Sequence, residues 1–211
     1  MQLSLKDQNR PGLVIVVLAN IALYLAILNR GFALESWIET LTSIQDLGPV
    51  LLVSAITGVL NAQIDHNNKA RFVFWRWSHP LPGSRAFTKY ASADARIDAN
   101  ALKKYQNPLP TDPNGQNKLW FKWYREFQEE PGIKQVHREY LFTRDWASLS
   151  FLMIVFLGPL ATWQMPSIKV AAVYIAILIA QYLLVSRAAR NHGERLMLND
   201  ARRNSRRLFF L

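Results

Sequence analysis

The sequence predicts an all-α integral membrane protein with four transmembrane helices and a mostly helical cytoplasmic insert between the second and the third. Half of its 211 residues are apolar, 19% are charged, and the mean hydropathy is zero. Each of four charge-free stretches is close to the ~20 apolar residues that cross a hydrocarbon layer about 30 Å thick. The pattern excludes a soluble globular enzyme, and the absence of cysteine excludes a disulfide scaffold. The four stretches are 12–29, 47–64, 146–163 and 170–186.

The first two stretches differ in character. Stretch 12–29 is interpreted as a retained anchor, because it is longer than a signal-peptide core and ends without a small-x-small cleavage site. Stretch 47–64 is diluted by polar and small residues, and Ser54 and Gly58 form a small-xxx-small pair that lets helices approach closely. We therefore expect the second helix to lie inside the bundle. The residues expected to pack helices or to line a pore are Asn20, Ser54, Gly58, Asn61 and Gln181.

The last two stretches and the basic residues predict the topology. Trp146 and Trp163 bracket the third stretch and would place two indoles about 25 Å apart, one at each membrane interface. All but two of the 25 basic residues lie in the flanks that the positive-inside rule then assigns to the cytoplasm. We expect a multi-pass protein of the inner (plasma) membrane with both termini and the insert cytoplasmic. The predicted segments are two crossings within 1–64, an insert at 65–145, two crossings within 146–186 and a basic tail at 187–211.

The insert is expected to fold, because it is far richer in aromatic residues than a solvated linker would be. Two prolines and a glycine in the segment 78–84 (SHPLPGS) predict irregular structure there. A short helix is predicted over 94–105. Another helix is predicted to begin at a cap on Thr111 or Asp112 and to end near Glu130, where a Pro-Gly pair follows.

No helix breaker occurs between Ile133 and Gly158-Pro159. A continuous helix from Ile133 to Leu157 would be about 37 Å long and would join the insert to the third crossing. The alternative is a hinge at 143–145, which would decouple the two. Gly158-Pro159 is predicted either to kink the third crossing or to end its helix.

The tail combines arginines with an apolar end, which is typical of a helix at a membrane surface. Each basic residue close to anionic headgroups contributes ~1 kcal/mol of attraction. The same arginines also serve as a positive-inside signal, and the two roles are compatible. Lipid binding is therefore expected at Arg202, Arg203, Arg206 and Arg207.

Few residues point to catalysis. The four histidines lack ligand spacing, and the absence of cysteine excludes thiolate zinc sites, so neither a metal nor a cofactor is predicted. Arg187 and His192 have the spacing R-x4-H, which resembles the motif of HEPN ribonucleases over six residues, with Ala188 where that family usually has a polar residue. The resemblance implies RNA cleavage by Arg187 and His192. Because no other catalytic motif occurs, a non-enzymatic function is favoured.

The run 71–77 (RFVFWRW) interleaves arginines with aromatic residues. Surfaces that bind single-stranded nucleic acid have this composition, but aromatic residues beside a membrane more commonly line the interface. Nucleic acid or nucleotide binding is less favoured, since phosphate-binding glycine loops are absent. Ligand or partner binding by the insert is expected at Arg71, Trp75, Arg76, Trp77, His79, Trp120 and Trp123.

These features favour a sensor over a transporter, because none of the four apolar stretches contains Asp, Glu, His or Arg. The leading hypothesis is a homo-oligomeric membrane protein whose insert senses a ligand or partner and then alters permeability or recruits a cytoplasmic protein. Its architecture suits a bacterial stress response or phage defence. The alternatives are a membrane-anchored, ribonuclease-like enzyme and a structural membrane scaffold. The expected partners are anionic lipid headgroups, further copies of the chain and a cytoplasmic protein.

Overall fold

The computed structural model describes residues 4–28, 44–95, 97, 102 and 108–207, without the side chains of 44–46, 200 and 202–207. Over these ranges the chain is helical and contains no strand. A 3-10 helix at Pro82–Arg85 and a π-helical segment at Ala86–Ala91 lie between α3 and α4. The α-helices are α1 (Leu5–Leu28), α2 (Ile44–Gln63), α3 (His66–Phe74), α4 (Pro113–Phe127), α5 (Pro131–Gln164) and α6 (Ile168–Arg207).

Several of these helices meet the requirements for crossing a membrane. Within the described ranges α1, α5 and α6 are each long and apolar enough. The helix α2 meets the same test only together with α3, as a bent pair. The predicted all-helical class is therefore confirmed, with three to four candidate membrane-spanning helices.

The chain divides into two compact units. Unit 1 comprises Met1–Asp65 and Arg144–Ser186, and unit 2 comprises His66–Thr143 and Arg187–Leu211. Helices α5 and α6 each contribute residues to both units. The C-terminal part of α6 thus belongs to the same unit as most of the insert, although the two are far apart in the sequence.

Unit 1 exposes apolar side chains and buries polar ones. Its buried polar residues include Asn20 on α1 and a line of three on α2. Such a distribution suits helices in lipid, where the surroundings are apolar and polar groups pack between helices. The buried line on α2 is Ser54, Thr57 and Asn61, and the exposed apolar residues include Val14, Ile15, Leu18, Leu52, Val59, Val173 and Leu184.

An apolar cluster holds the helices of unit 1 together. Tyr24 of α1 lies fully buried in it, with its ring edge-on to Tyr174 of α6 at a centroid distance of 5.3 Å. The Tyr24 hydroxyl donates to Oε1 of Gln164 at 2.8 Å, which pairs the polar tip of the ring at the end of α5. Gly158 of α5 lies against Ile175 of α6. A Cβ built on this glycine would lie 3.7 Å from Cγ1 of Ile175, an ordinary contact distance. The small glycine therefore sits at a helix contact.

Unit 2 has a core of its own, to which α4 and the π-helical segment both contribute. Asp112 is one of the two residues predicted to cap α4, and it does so by accepting a hydrogen bond from Gly115 N at 2.7 Å. Gln116 is buried, and its Oε1 accepts from the backbone nitrogens of Phe87 and Thr88, each at 3.1 Å. This one side chain ties the start of the π-helical segment to α4.

The turn residues of the insert behave differently from the prediction in three places. The segment predicted to be irregular contains a 3-10 helix, because Pro82 is tolerated in a first turn, where no backbone donor is needed. The helix α4 ends at Phe127, earlier than predicted. A break separates α4 from the next helix, as predicted, but α5 begins at Pro131 itself, two residues before the predicted Ile133, because proline is tolerated in the first turn of a helix. The helix predicted over 94–105 lies largely outside the described residues.

Helix α5 is unbroken from Pro131 to Gln164. It passes through Thr143 without interruption. The hinge is therefore not formed, and the continuous helix is the alternative that the structure shows. It also continues beyond Gly158 and Pro159, which excludes the alternative that the helix ends there. A proline in a helix removes one backbone hydrogen bond but does not have to end it when neighbouring helices support it.

A close approach at Gly83 gives a prediction for the stability of unit 2. A Cβ at this buried glycine would clash with Oδ1 of Asn117 and would lie 3.0 Å from Cε3 of Trp120. Gly83→Ala is expected to lower the free energy of unfolding by about 1–3 kcal/mol, as overpacking does. The measurement is thermal unfolding in detergent, followed by tryptophan fluorescence.

The matched control is Gly132→Ala in the first turn of α5, where an added Cβ meets nothing within 4 Å. Stability should stay unchanged or rise slightly, because alanine favours a helix over glycine. Equal effects at the two positions would show that the contact between Gly83 and α4 is not formed.

Candidate functional site

Among the described residues of unit 2, the most exposed aromatic segment is the stretch 75–79, here termed the tryptophan loop. Each of its five residues is exposed, and it follows α3 directly. Trp77 is 86% exposed and Trp75 is 56% exposed. Two large indole surfaces this open on one short loop are unusual, because an exposed apolar patch commonly marks a contact site.

The backbone of the tryptophan loop has an uncommon conformation. Trp75 has φ 54° and His79 has φ 47°, both in the left-handed region. This region is sparsely populated by residues other than glycine, asparagine and aspartate, and it costs of order 1 kcal/mol or more per residue. Such a shape persists only when the surroundings impose it.

Two arginines impose that shape. Arg190 of α6 donates from Nε to the carbonyl oxygen of Val73 at 2.6 Å, and its guanidinium carbon lies 4.0 Å from the centroid of the Trp75 ring. This cation–π stack is close, and it immobilises one indole. Arg71 of α3 donates from Nε to the carbonyl oxygen of Trp77 at 3.1 Å and from Nη1 to Asn68. The loop is therefore held at both tryptophans.

Positive charge gathers around the same loop. Burial lowers the pKa of Arg85, and the neighbouring charge of Arg76 lowers it further. Burial also raises the pKa of Tyr90, and so does the charge of Glu194, while Arg85, whose guanidinium carbon lies 5.9 Å from the Tyr90 ring, lowers it. Together with Arg71 and Arg190 these arginines form a basic cluster of four residues: Arg71, Arg76, Arg85 and Arg190.

The other two tryptophans predicted to bind a ligand lie elsewhere in unit 2. Trp123 is fully buried, in edge contact with Phe87 at a centroid distance of 4.9 Å. Trp120 is half-buried and stacks on Tyr124 at 5.4 Å. The position of Trp123 supports a role in the core, whereas five of the seven predicted residues lie in or beside the tryptophan loop.

The residues of the R-x4-H spacing both lie on α6. Arg187 is exposed, and His192 is half-buried with Nδ1 3.2 Å from Oε2 of Glu139 on α5. Five positions along a helix separate two side chains by about 140° around its axis. A second polar pair joins Tyr124 to His137, with 2.6 Å between the hydroxyl oxygen and Nδ1. Sequence gave no signal for either pair, because the partners lie on different helices.

The residues predicted to pack helices or to line a pore fall in unit 1. Asn20, Ser54 and Asn61 are buried, and an oxygen of each has no hydrogen-bond partner within the described part of the chain. Gln181 donates from Nε2 to Oγ of Ser150 at 2.9 Å, which links α6 to α5. Nothing lies within 4 Å of a Cβ built on Gly58.

Sequence reasoning missed a buried ion pair in unit 1. Arg144 donates from Nε and Nη2 to Oδ1 of Asp145, at 3.0 and 2.8 Å, and both side chains are at least nine-tenths buried. The neighbouring Ser148 is completely buried as well. The sequence predicts that Arg144 and Asp145 belong to the insert, because the ends of the apolar stretches are predicted from charge alone. The available signal was the spacing of Arg144 and Ser148, which places them on one helix face.

The predicted lipid-binding arginines lie on α6, which extends to Arg207, but their side chains are outside the described residues. Among the side chains that are described, no group of three or more His, Asp or Glu could hold a metal ion. No protein-family model matches the chain, and no curated protein or solved structure matches it either.

Proposed function

We propose that the chain is a homo-oligomeric inner-membrane protein with four crossings, in which unit 2 is cytoplasmic and senses a ligand or a partner. Occupation of unit 2 alters the membrane helices and changes permeability, or it recruits a cytoplasmic protein. The insert and the C-terminal part of α6 act together as the sensing module.

The observation that carries this proposal is the continuity of two helices. Helices α5 and α6 contain 34 and 40 residues, about 51 Å and 60 Å at 1.5 Å per residue. Each contains a candidate membrane span and also part of unit 2. Since no loop interrupts either helix, a shift of its unit 2 end reaches the membrane without crossing a flexible joint.

The polar interior of unit 1 supports the permeability form of the proposal. Buried oxygens without a protein partner cost free energy in a dry interior, and water molecules commonly satisfy such groups. The buried face of α2 carries two of them, on Ser54 and Asn61. A hydrated path beside this face would account for them.

The first experiment determines the mass of the detergent-solubilised particle and then the release of a trapped dye from liposomes. We expect a trimer or larger particle and, once a cytoplasmic extract is added as the stimulus, faster release than from empty liposomes treated in the same way. Asn61→Leu should reduce the release severalfold, because it removes a buried polar group from the proposed path. Gln63→Leu is the matched control, since Gln63 is exposed at the end of the same helix.

A monomer whose liposomes release dye no faster than empty ones would contradict the oligomeric and permeability parts of the proposal. If the chain is a structural scaffold, dye release should stay at the level of empty liposomes under every stimulus. The enzyme alternative is tested separately by Arg187→Ala and His192→Ala, which should abolish RNA cleavage by the purified protein if these residues are catalytic.

A further inference from the structure

We propose that the tryptophan loop, backed by the four-arginine cluster, binds the phosphate groups of anionic lipids at the cytoplasmic surface of the membrane that the chain crosses. This contact would be a second attachment of unit 2, independent of the tail arginines. The inference rests on the cytoplasmic placement of unit 2 in the proposed function.

The chemistry of the loop fits the interface between water and lipid. Indole rings prefer this zone, because the ring is largely apolar while its N–H requires a polar partner. Trp75 and Trp77 present such rings, with exposed Arg76 between them and exposed His79 at the end of the loop. One short segment thus presents apolar surface for the acyl boundary and a cation for the headgroups.

The arginine cluster supplies the complementary charge. Guanidinium groups bind phosphate through paired donors, and they are less strongly hydrated than ammonium groups. Nε of Arg85 and Nη2 of Arg190 have no hydrogen-bond partner within the described part of the chain. Both nitrogens are buried, so the positive charge that headgroups can reach directly at the loop is that of the exposed Arg76. The pKa of Arg85 is lowered mainly by burial, and the charge of Arg76 adds a smaller effect in the same direction.

Chain connectivity keeps the loop near the membrane. The helix α2, one of the four proposed crossings, ends at Gln63, and α3 contributes only nine residues before the loop begins. A nine-residue helix and a two-residue link together reach about 20 Å at most. The loop therefore remains within a short distance of the headgroup region whatever the orientation of unit 2.

The rigid shape of the loop also favours a surface contact. Two residues in the left-handed region give the segment an uncommon shape, and the two arginine contacts hold it in that shape. Rotamers that are already fixed lose less entropy on binding. Single-stranded RNA has the same phosphate chemistry, but the short tether to a membrane span favours lipid.

The test uses a single spin label at Ser78→Cys in the full-length protein, which contains no other cysteine. Ser78 is exposed between Trp77 and His79, so both indoles and all four arginines remain. Accessibility of the label to oxygen and to a water-soluble nickel chelate reports its depth. We expect interfacial depth in vesicles that contain phosphatidylglycerol, and a more aqueous position in vesicles of phosphatidylcholine alone.

Glu129→Cys is the matched control, because this exposed residue belongs to the same unit and should remain aqueous in both vesicles. Adding Arg76→Gln to the Ser78→Cys protein should weaken the dependence on anionic lipid by roughly fivefold, as expected for one basic residue near headgroups. A label at position 78 that is aqueous in both vesicles overturns the lipid contact. Immobilisation of an aqueous label by single-stranded RNA would overturn it in favour of nucleic acid.

Modification of Ser78→Cys by an impermeant maleimide separates this failure from a failure of the proposed function. Reaction only in inverted vesicles places the loop in the cytoplasm, so an aqueous label then overturns the lipid contact alone. Reaction in intact spheroplasts overturns the cytoplasmic placement of unit 2, and the lipid proposal fails with it.

Discussion

Replacing Trp123 with alanine is expected to destabilise unit 2 by about 4 kcal/mol, the usual cost of removing a large aromatic side chain from a core. Trp123 is completely inaccessible and packs edge-on against Phe87, within a cluster that also contains Leu119 and Ile133. For a chain of this length the loss corresponds to a fall in Tm of roughly 10 °C. Thermal unfolding in detergent gives the size of the effect, and hydrogen exchange shows where protection is lost.

The location of the loss is as informative as its size. Exchange should accelerate in α4 and in the π-helical segment, which share the cluster around Trp123. Trp77→Ala is the control with the same change of residue type, and it should leave stability within about 0.5 kcal/mol because its side chain is exposed. Similar destabilisation by both substitutions would mean that the core around Trp123 is not packed as described.

This comparison shows what the sequence could and could not predict about aromatic residues. Trp120, Trp123 and Tyr124 recur at helical spacing, and the helix that they indicate is present as α4. Spacing identifies one face of a helix, but it does not say whether that face meets a core or a ligand. The sequence therefore predicts ligand or partner binding at both Trp123 and Trp77. Trp123 is buried, whereas Trp77 is the most exposed tryptophan of the loop.

Regular helices were more predictable than the segments between them. The unbroken α5 follows from the absence of breakers after Ile133, since propensity and apolar pattern agree there. The left-handed backbone of Trp75 and His79 had no sequence signal, because neither position is a glycine or an asparagine. Contacts distant in sequence, above all that of Arg190 with Trp75, impose this conformation.

Buried charge is the other feature that the sequence concealed. Arg144 and Asp145 are adjacent in sequence, so they cancel in any count of net charge and look like the end of a polar insert. The structure places both inside unit 1 and pairs them there. An ion pair in a nonpolar interior is stable only while both partners are present, because each charge compensates for the desolvation of the other.

Asp145→Asn should therefore destabilise unit 1 strongly. The asparagine keeps the shape and one acceptor oxygen but removes the negative charge that pairs with the buried guanidinium of Arg144. Loss of one partner of a buried pair typically costs 3–5 kcal/mol, so we expect about 3 kcal/mol here, a fall in Tm of roughly 6–12 °C. The measurement is thermal unfolding in detergent, with hydrogen exchange to show that protection is lost around the middle of α5.

Two further variants distinguish a lost charge pair from general damage. Glu129→Gln removes the carboxylate from an exposed pair with Lys134, whose Nζ lies 2.9 Å from Oε2, and should change stability by less than about 1 kcal/mol. The double variant Arg144→Leu/Asp145→Leu should recover most of the stability lost in Asp145→Asn, because it removes both charges together. If Asp145→Asn costs no more than Glu129→Gln, water must reach the Arg144 pair in the folded protein. That outcome would contradict its burial and would extend the proposed hydrated path to this end of the membrane segment of α5.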